Sequence, residues 1–137
     1  MKIIDAEKTA LGRLASETAK LLLNGETVII VNAEKAVITG NPESVYEEWK
    51  KKFEIRDIAK PIKSPKLSRR PDLFVKRTIR GMVPRKTKRG MEAMRRVKAF
   101  IGVPEEYSGK AEKIIPETKA KKYITIEELC KRLGWKG

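Results

Sequence analysis

The sequence predicts an α/β fold, and three observations carry that prediction. A strand, a helix and a second strand follow one another from Lys2 to Val31, the second strand is an unbroken β-branched run, and 137 residues with 40% apolar content suit one core of ordinary size. Strand, helix, strand in some thirty residues is the length of a βαβ unit, whose crossover helix lets two strands lie parallel.

Lys2 to Asp5 is the first short strand, and Ala6 to Thr9 is a turn with Thr9 placed to cap the helix that follows. Leu11, Leu14, Ala15, Thr18, Leu21 and Leu22 fall on one face of a helix from about Ala10 to Asn24, and Gly25 supplies its stop. Thr27 to Val31 reads Thr-Val-Ile-Ile-Val, a pattern for a strand buried on both faces and not one alternating between core and water. Lys35 to Thr39 predicts a further strand, broken by Gly40. Asn41-Pro42 then opens a helix with a capping residue and a proline at the first helical position. Val45, Trp49 and Phe53, with Tyr46 beside them, form its apolar stripe. Glu47, Glu48 and Lys50 to Lys52 form its outer side, read as a solvated face and not as a binding site.

Pro61, Pro65 and Pro71 punctuate a segment that also holds Lys60, Lys63, Lys66, Arg69 and Arg70, so it is expected to be extended or irregular. Asp72 to Val83 predicts a helix with Phe74, Val75, Ile79 and Met82 on one side and Lys76, Arg77 and Arg80 on the other. Pro84 ends it, and Arg85, Lys86, Lys88 and Arg89 crowd the connection. A second basic helix is expected from Thr87 to about Ile101, with Met91, Met94, Val97 and Ile101 as its core stripe and Arg89, Arg95 and Arg96 away from it. A polar stretch follows Pro104-Glu105-Glu106-Tyr107, and Lys122-Tyr123-Ile124 adds a short extended segment. Thr125-Ile126-Glu127-Glu128 has the spacing of a capping box and starts a closing helix through Leu133, ended by Gly134 and docked by Leu129, Leu133 and Trp135.

Charge is distributed very unevenly along this framework. Of 32 Lys and Arg residues, 15 lie between Lys60 and Lys98 alongside only Asp72 and Glu92, so this arc carries +13 of the total charge of +14. Solubility alone needs a net charge of only ~2 to 8 in a small domain, so the excess fits a surface that neutralises a polyanion. The prolines and the two short helices do not resemble one long amphipathic helix lying on a membrane. No apolar run approaches the ~18 residues of a membrane helix, the N-terminus runs straight into Lys2-Ile3-Ile4-Asp5 with no targeting sequence, and the reading expects a soluble protein.

The composition also narrows the chemistry. Histidine is absent, which removes the commonest general base near neutral pH and the usual Cys/His zinc site. The one cysteine, Cys130, forms no internal disulfide, fits a reducing intracellular compartment and is read as a packed side chain within the last helix. There is no GxxxxGK[ST] loop, no GxGxxG after a strand, and no HExxH or CxxC pair. No catalytic residue, cofactor, metal or small-molecule substrate is assigned. The competing reading, a small α/β enzyme acting on nucleotides or RNA, rests on the βαβ start alone, with Asp5, Glu7 and Glu34 as its candidate carboxylates.

RNA is the favoured polyanion. No helix-turn-helix, zinc finger or basic zipper pattern is present to read a major groove, and the eight aromatics are mostly placed for packing, which argues against a single-strand stacking platform. Cations contacting phosphates and 2′-hydroxyls read a folded RNA mainly by shape. The candidate RNA-binding residues are Lys66, Arg69, Arg70, Lys76, Arg77, Arg80, Arg85, Lys86, Lys88, Arg89, Arg95, Arg96 and Lys98. Arg13, on the polar side of the first helix, is either a further RNA contact or a locally paired surface residue.

Particular runs of residues then point to a family. Asp5-Ala6 followed by Leu11-Gly12-Arg13-Leu14-Ala15-Ser16, the strand end Ile30-Val31-Asn32-Ala33, Ile79-Arg80-Gly81-Met82-Val83-Pro84, Gly90, and Val97-Lys98-Ala99-Phe100-Ile101-Gly102-Val103-Pro104 closely resemble the large-subunit ribosomal protein L-thirteen family over nearly the whole chain. The resemblance implies a three-layer α/β/α domain with a mostly parallel four-stranded sheet and a basic helical and loop extension. It also implies a structural role in the large ribosomal subunit, with 23S-type ribosomal RNA and neighbouring large-subunit proteins as partners, a part in early assembly, and a cytoplasmic, ribosome-associated location. Bacterial members carry histidine and proline after the last glycine of the signature. Here Gly102-Val103-Pro104 stands instead, which is similar to the archaeal and eukaryotic branch and weakens any transfer of the bacterial C-terminal contacts.

Overall fold

The computed structural model describes residues 1–54 and 69–136, so Lys66 and the segment around Pro61 and Pro65 lie outside the described residues. In chain order the elements are β1 (Lys2–Asp5), α1 (Leu11–Leu23), β2 (Val28–Val31), β3 (Val37–Thr39), α2 (Pro42–Glu54), α3 (Pro71–Arg80), α4 (Lys88–Arg95), β4 (Val97–Ala99), β5 (Tyr123–Thr125) and α5 (Ile126–Arg132). Short 3-10 turns occur at Ala33–Lys35 and Glu105–Tyr107.

The βαβ unit forms as the sequence predicts. β1 and β2 pair in parallel with Ile3 beside Ile29 and Ile4 beside Ile30, and α1 is their crossover. Leu14, Ala15, Thr18 and Leu22 of α1 are fully buried, and Gly25 leaves the helix at φ +91°, a left-handed conformation that glycine adopts without a Cβ penalty. Thr9 does not cap α1. The N-cap is Ala10, with no side-chain cap bond, and the buried Thr9 hydroxyl instead donates to the Glu7 carbonyl at 3.3 Å.

All four residues of β2 are buried, because it is the central strand with both faces covered. Ile4, Val28, Ile30, Val97 and Ala99 share the main core with residues of α1, α3 and α5, whereas Ile3, Ile29 and Val31 face the other way against Phe100, Tyr107 and Ala111. Among the described residues this second layer is the loop around the Glu105–Tyr107 turn. With strands of only three or four residues, Phe100 and Tyr107, whose rings lie 5.8 Å apart, suffice to close it.

Two elements differ from the sequence reading. The second basic helix ends at Arg95, and Val97–Ala99 becomes β4, which pairs in parallel with β2 to give the order β1-β2-β4. The Val-Lys-Ala run alternates buried, exposed, buried, a period of two that fits a pleated strand, and pairing with β2 overrides the longer helical spacing. The parallel sheet thus has three strands among the described residues. The resemblance implied four strands without assigning its members, and β3 pairs antiparallel with β5, Ile38 opposite Ile124. The cause is the chain reversal after β2, where Asn32 takes a left-handed φ of 56° and the Ala33–Lys35 turn directs the chain out of the sheet.

α3 packs Phe74, Val75 and Ile79 into the core, as expected, and the Phe74 ring meets Trp49 of α2 at 4.6 Å. α5 starts at the capping threonine, with the Thr125 hydroxyl accepting from the Glu128 amide at 3.2 Å, and buries Ile126, Leu129 and Cys130. Met82 and Met91, expected in the core, are instead exposed.

Burial pushes the Cys130 thiol up to about 12, with the Asp72 charge adding to the effect. In the unfolded chain a thiol titrates near ~8.5. Between these values the unfolded state binds fewer protons, so stability is fully present below pH ~8.5 and falls as pH rises above it. Urea titrations at pH 7.5 and 9.5 are expected to show that loss in the wild type and a smaller one in Cys130→Ala.

Candidate nucleic-acid interface

The interface candidates sit on α3, the connection from Gly81 to Thr87, and α4. Pro71 occupies the first turn of α3, where its missing N–H costs nothing. The buried side chains of α3 fix its orientation, so Arg77 and Arg80 on its last turn are exposed. Their position at the carbonyl end of the helix is favourable for cations.

The connection is held at both ends. Val83 is buried and anchors the chain just after α3. Thr87 caps α4: its hydroxyl accepts from the Gly90 amide at 3.2 Å and donates to the Pro84 carbonyl at 2.7 Å, while its own amide reaches that carbonyl at 3.0 Å. Gly90 allows this closure, since a Cβ there would stand 2.0 Å from the Pro84 carbonyl oxygen. Arg85, Lys86 and Lys88 are therefore presented outward from a loop with a fixed path. Arg77, Arg80 and Arg85 come together around one concavity of about 390 Å³, with Gly81 and Val83 in its lining.

Arg89 and Arg96 have a task that the sequence did not reveal. Arg96 donates to the Leu22 carbonyl at 2.6 Å and Arg89 to the Leu23 carbonyl at 3.2 Å, so both meet the carbonyl end of α1. Such contacts satisfy groups that a helix leaves open and complement its dipole. Arg96 is half-buried, and its Nε is buried with no hydrogen-bond partner among the described residues.

The remaining candidates are dispersed. Arg69 donates from Nε to the Leu133 carbonyl at 2.7 Å and lies over the Phe53 ring at 4.9 Å. Arg70 pairs with Asp72 at 2.9 Å. Lys76 is half-buried and Arg95 exposed. Lys98 is in register with Ile29, on the sheet face opposite the main core, and so projects away from the side on which α1 and α3 pack. Lys66 is outside the described residues. On α2 the lysine triplet is exposed, and Lys52 lies 4.1 Å from the Trp49 ring centre and 3.9 Å from Glu48. Arg13 is exposed.

Two of the three carboxylates named for an enzyme, Asp5 and Glu34, hold loops in place. Asp5 accepts from the Glu7 amide at 3.0 Å and from Asn32 Nδ2 at 3.1 Å, and the buried Glu34 accepts from the Gly102 amide at 3.0 Å. These bonds tie together the chain segments that leave β1, β2 and β4. Among the described residues, no three His, Cys, Asp or Glu side chains are grouped to hold a metal, and no helix is long and apolar enough to cross a membrane.

Gly90→Ala is expected to destabilise the free protein by about 2 kcal/mol, because the backbone of Pro84 must move. Arg96→Ala is expected to cost about 1 kcal/mol by leaving the Leu22 carbonyl without its side-chain donor, while Arg80→Ala stays within about 0.5 kcal/mol. Chemical denaturation of the three variants checks the order; equal midpoints would contradict it.

The chain matches the family model described as Ribosomal protein L13 over residues 1–106. Over 99% of its length it is 47% identical to a protein named large ribosomal subunit protein uL13 from Methanocaldococcus jannaschii, covering 99% of that chain. A protein of the same name from Archaeoglobus fulgidus is 45% identical over 98% of this chain and 88% of its own, and one from Saccharolobus solfataricus is 41% identical over 98% and 93%. With strand, loop and glycine motifs in place and a family match across most of its length, the chain belongs to the ribosomal protein L13 family of the large subunit, a family of ribosomal components and not of enzymes.

Proposed function

We propose that this chain is a structural constituent of the large ribosomal subunit that binds 23S-type ribosomal RNA through the arc from Lys60 to Lys98 and supports early subunit assembly. It works as one domain, residues 1 to 137, on cytoplasmic ribosomes beside neighbouring large-subunit proteins. No cofactor, metal or small-molecule substrate enters this reading.

One observation carries it: Arg80, Arg85, Lys86 and Lys88 are exposed on an ordered scaffold and form no ion pair among the described residues. Outside the arc several surface cations are paired with carboxylates, as Lys20 is with Glu17, Lys131 with Glu127 and Arg132 with Glu43. Cations displayed without carboxylates are available to phosphates, and the release of counterions from RNA drives such binding. Arginines contribute more than lysines wherever a phosphate is gripped by two parallel hydrogen bonds. With ~6 to 10 phosphate contacts, the affinity for RNA falls by ~10³ to 10⁵ between 50 and 200 mM salt.

Sucrose-gradient sedimentation of a cell extract after a high-salt wash, followed by immunoblotting, tests the assignment. The protein is expected to stay with the large subunit, held by shape as well as charge. Its release to the top of the gradient would contradict a built-in structural role.

A further inference from the structure

We propose a second RNA contact outside the arc: Arg13 of α1 and Lys119, on the segment that leads to β5, hold RNA backbone in the hollow between them; this rests on the ribosomal RNA reading above. Both side chains line one concavity of about 520 Å³, together with Ala10, Thr39 and Thr118. Arg13 and Lys119 are exposed and form no ion pair among the described residues. The carboxylates closest to them in sequence are engaged elsewhere. No acidic residue stands in the first turn of α1, Glu17 pairs with Lys20 at 3.5 Å, and Glu117, the one carboxylate in the lining, pairs with Lys113. Outside the arc the chain holds 17 cations and 16 carboxylates, so two uncompensated cations around one hollow are a local departure from a balanced composition.

The lining favours RNA over an acidic protein segment. It holds no aromatic and no large aliphatic side chain, the residues that anchor most protein interfaces. The Thr39 and Thr118 hydroxyls line it beside the two cations, so phosphates and 2′-hydroxyls both find partners there. The frame is fixed on each side. Leu11, Leu14 and Ala15 bury the inner face of α1 and so place Arg13. The segment carrying Lys119 is held by the Thr118 amide on the Lys8 carbonyl at 2.9 Å and by the Gly40 amide on the Lys122 carbonyl at 2.9 Å. Arg89 and Arg96 of the arc hold the other end of α1, and from Arg13 to Leu23 the helix rises about 15 Å. RNA thus meets the domain at both ends of this helix.

The test measures binding of a 23S-type RNA transcript to the full chain across a salt series. It compares wild type, Arg13→Ala/Lys119→Ala, Arg13→Lys, and a Lys50→Ala/Lys51→Ala control that removes equal charge from the exposed side of α2. Neither the Arg13 nor the Lys119 side chain holds a bond among the described residues, so the double variant is expected to unfold at the wild-type temperature. The slope of log affinity against log salt is expected to be shallower in it by about 1.4 to 1.8, the share of two phosphate contacts, with affinity lower by on the order of ten-fold. Lys119→Ala alone, outside every helix and strand of the described residues, is expected to give about half that change in slope. Arg13→Lys and the α2 control are expected to keep the wild-type slope. Equal slopes for Arg13→Ala/Lys119→Ala and the control overturn the second contact and leave the arc reading intact. Failure of wild type to bind the transcript overturns that reading and the second contact with it. In a parallel titration with a poly-glutamate peptide, loss of binding by a double variant that keeps its transcript slope would assign the hollow to an acidic protein segment instead.

Discussion

The structure of the basic arc depends on one close approach, that of the Gly90 backbone to the Pro84 carbonyl. A methyl group at Gly90 would lie 2.0 Å from that oxygen, so α4 can begin where it does only because no side chain is there. The Thr87 cap and its bonds to Pro84 use the same geometry. Lys88 and Arg89 open α4, and Arg85 and Lys86 precede it, which places four cations on a path that charge repulsion would otherwise loosen. Backbone and hydroxyl groups hold that path, and they do not weaken as salt rises. Arg85, Lys86 and Lys88 are left to respond to the anion.

A second constraint links this arc to the sheet. α1 crosses between β1 and β2 and ends near Asn24, where Arg89 and Arg96 meet its last carbonyls. β4 begins one residue after Arg96 and pairs with β2, so α4 is tied at one end to the α1 terminus and at the other to the parallel sheet. The basic residues therefore divide by task. Arg69, Arg89 and Arg96 bond to carbonyls of the domain itself, and Arg80, Arg85, Lys86 and Lys88 face outward. Count and position in the sequence do not separate the two groups; packing does.

Much of the framework was legible in the sequence because its signals are local. The apolar spacing of α1, the unbroken β2 run, the Asn41-Pro42 start of α2 and the Thr125 cap all act within a few residues, and the structure carries each of them. Tertiary pairing hid the rest. Val97 continued a helical stripe in sequence, yet the strand pairing Val28 with Val97 took it. The sequence left the partner of β3 open, and in the structure the chain passes through the left-handed Asn32 to pair β3 with β5. Arg89 and Arg96 find partners 66 and 74 residues away, and no local pattern announces a bond of that range. Thr9 resembled a cap but lies one residue too early, since Ala10 occupies that place. At the candidate interface, charge density marked the region, and the close approach at Gly90 and the shared hollow of Arg77, Arg80 and Arg85 emerged only in three dimensions.

Central to this account is that the basic loop has its shape before any RNA arrives. Hydrogen exchange of the free protein tests that most directly, read at the amides of Thr87, Gly90 and Met91, which bond respectively to the Pro84 carbonyl, the Thr87 hydroxyl and the Thr87 carbonyl. Protection at all three sites in the absence of nucleic acid, comparable to that of the α3 amides, is the predicted result. Exchange at the rate of an unfolded chain, with protection gained only when RNA is added, would show that the RNA shapes the loop and would contradict the account.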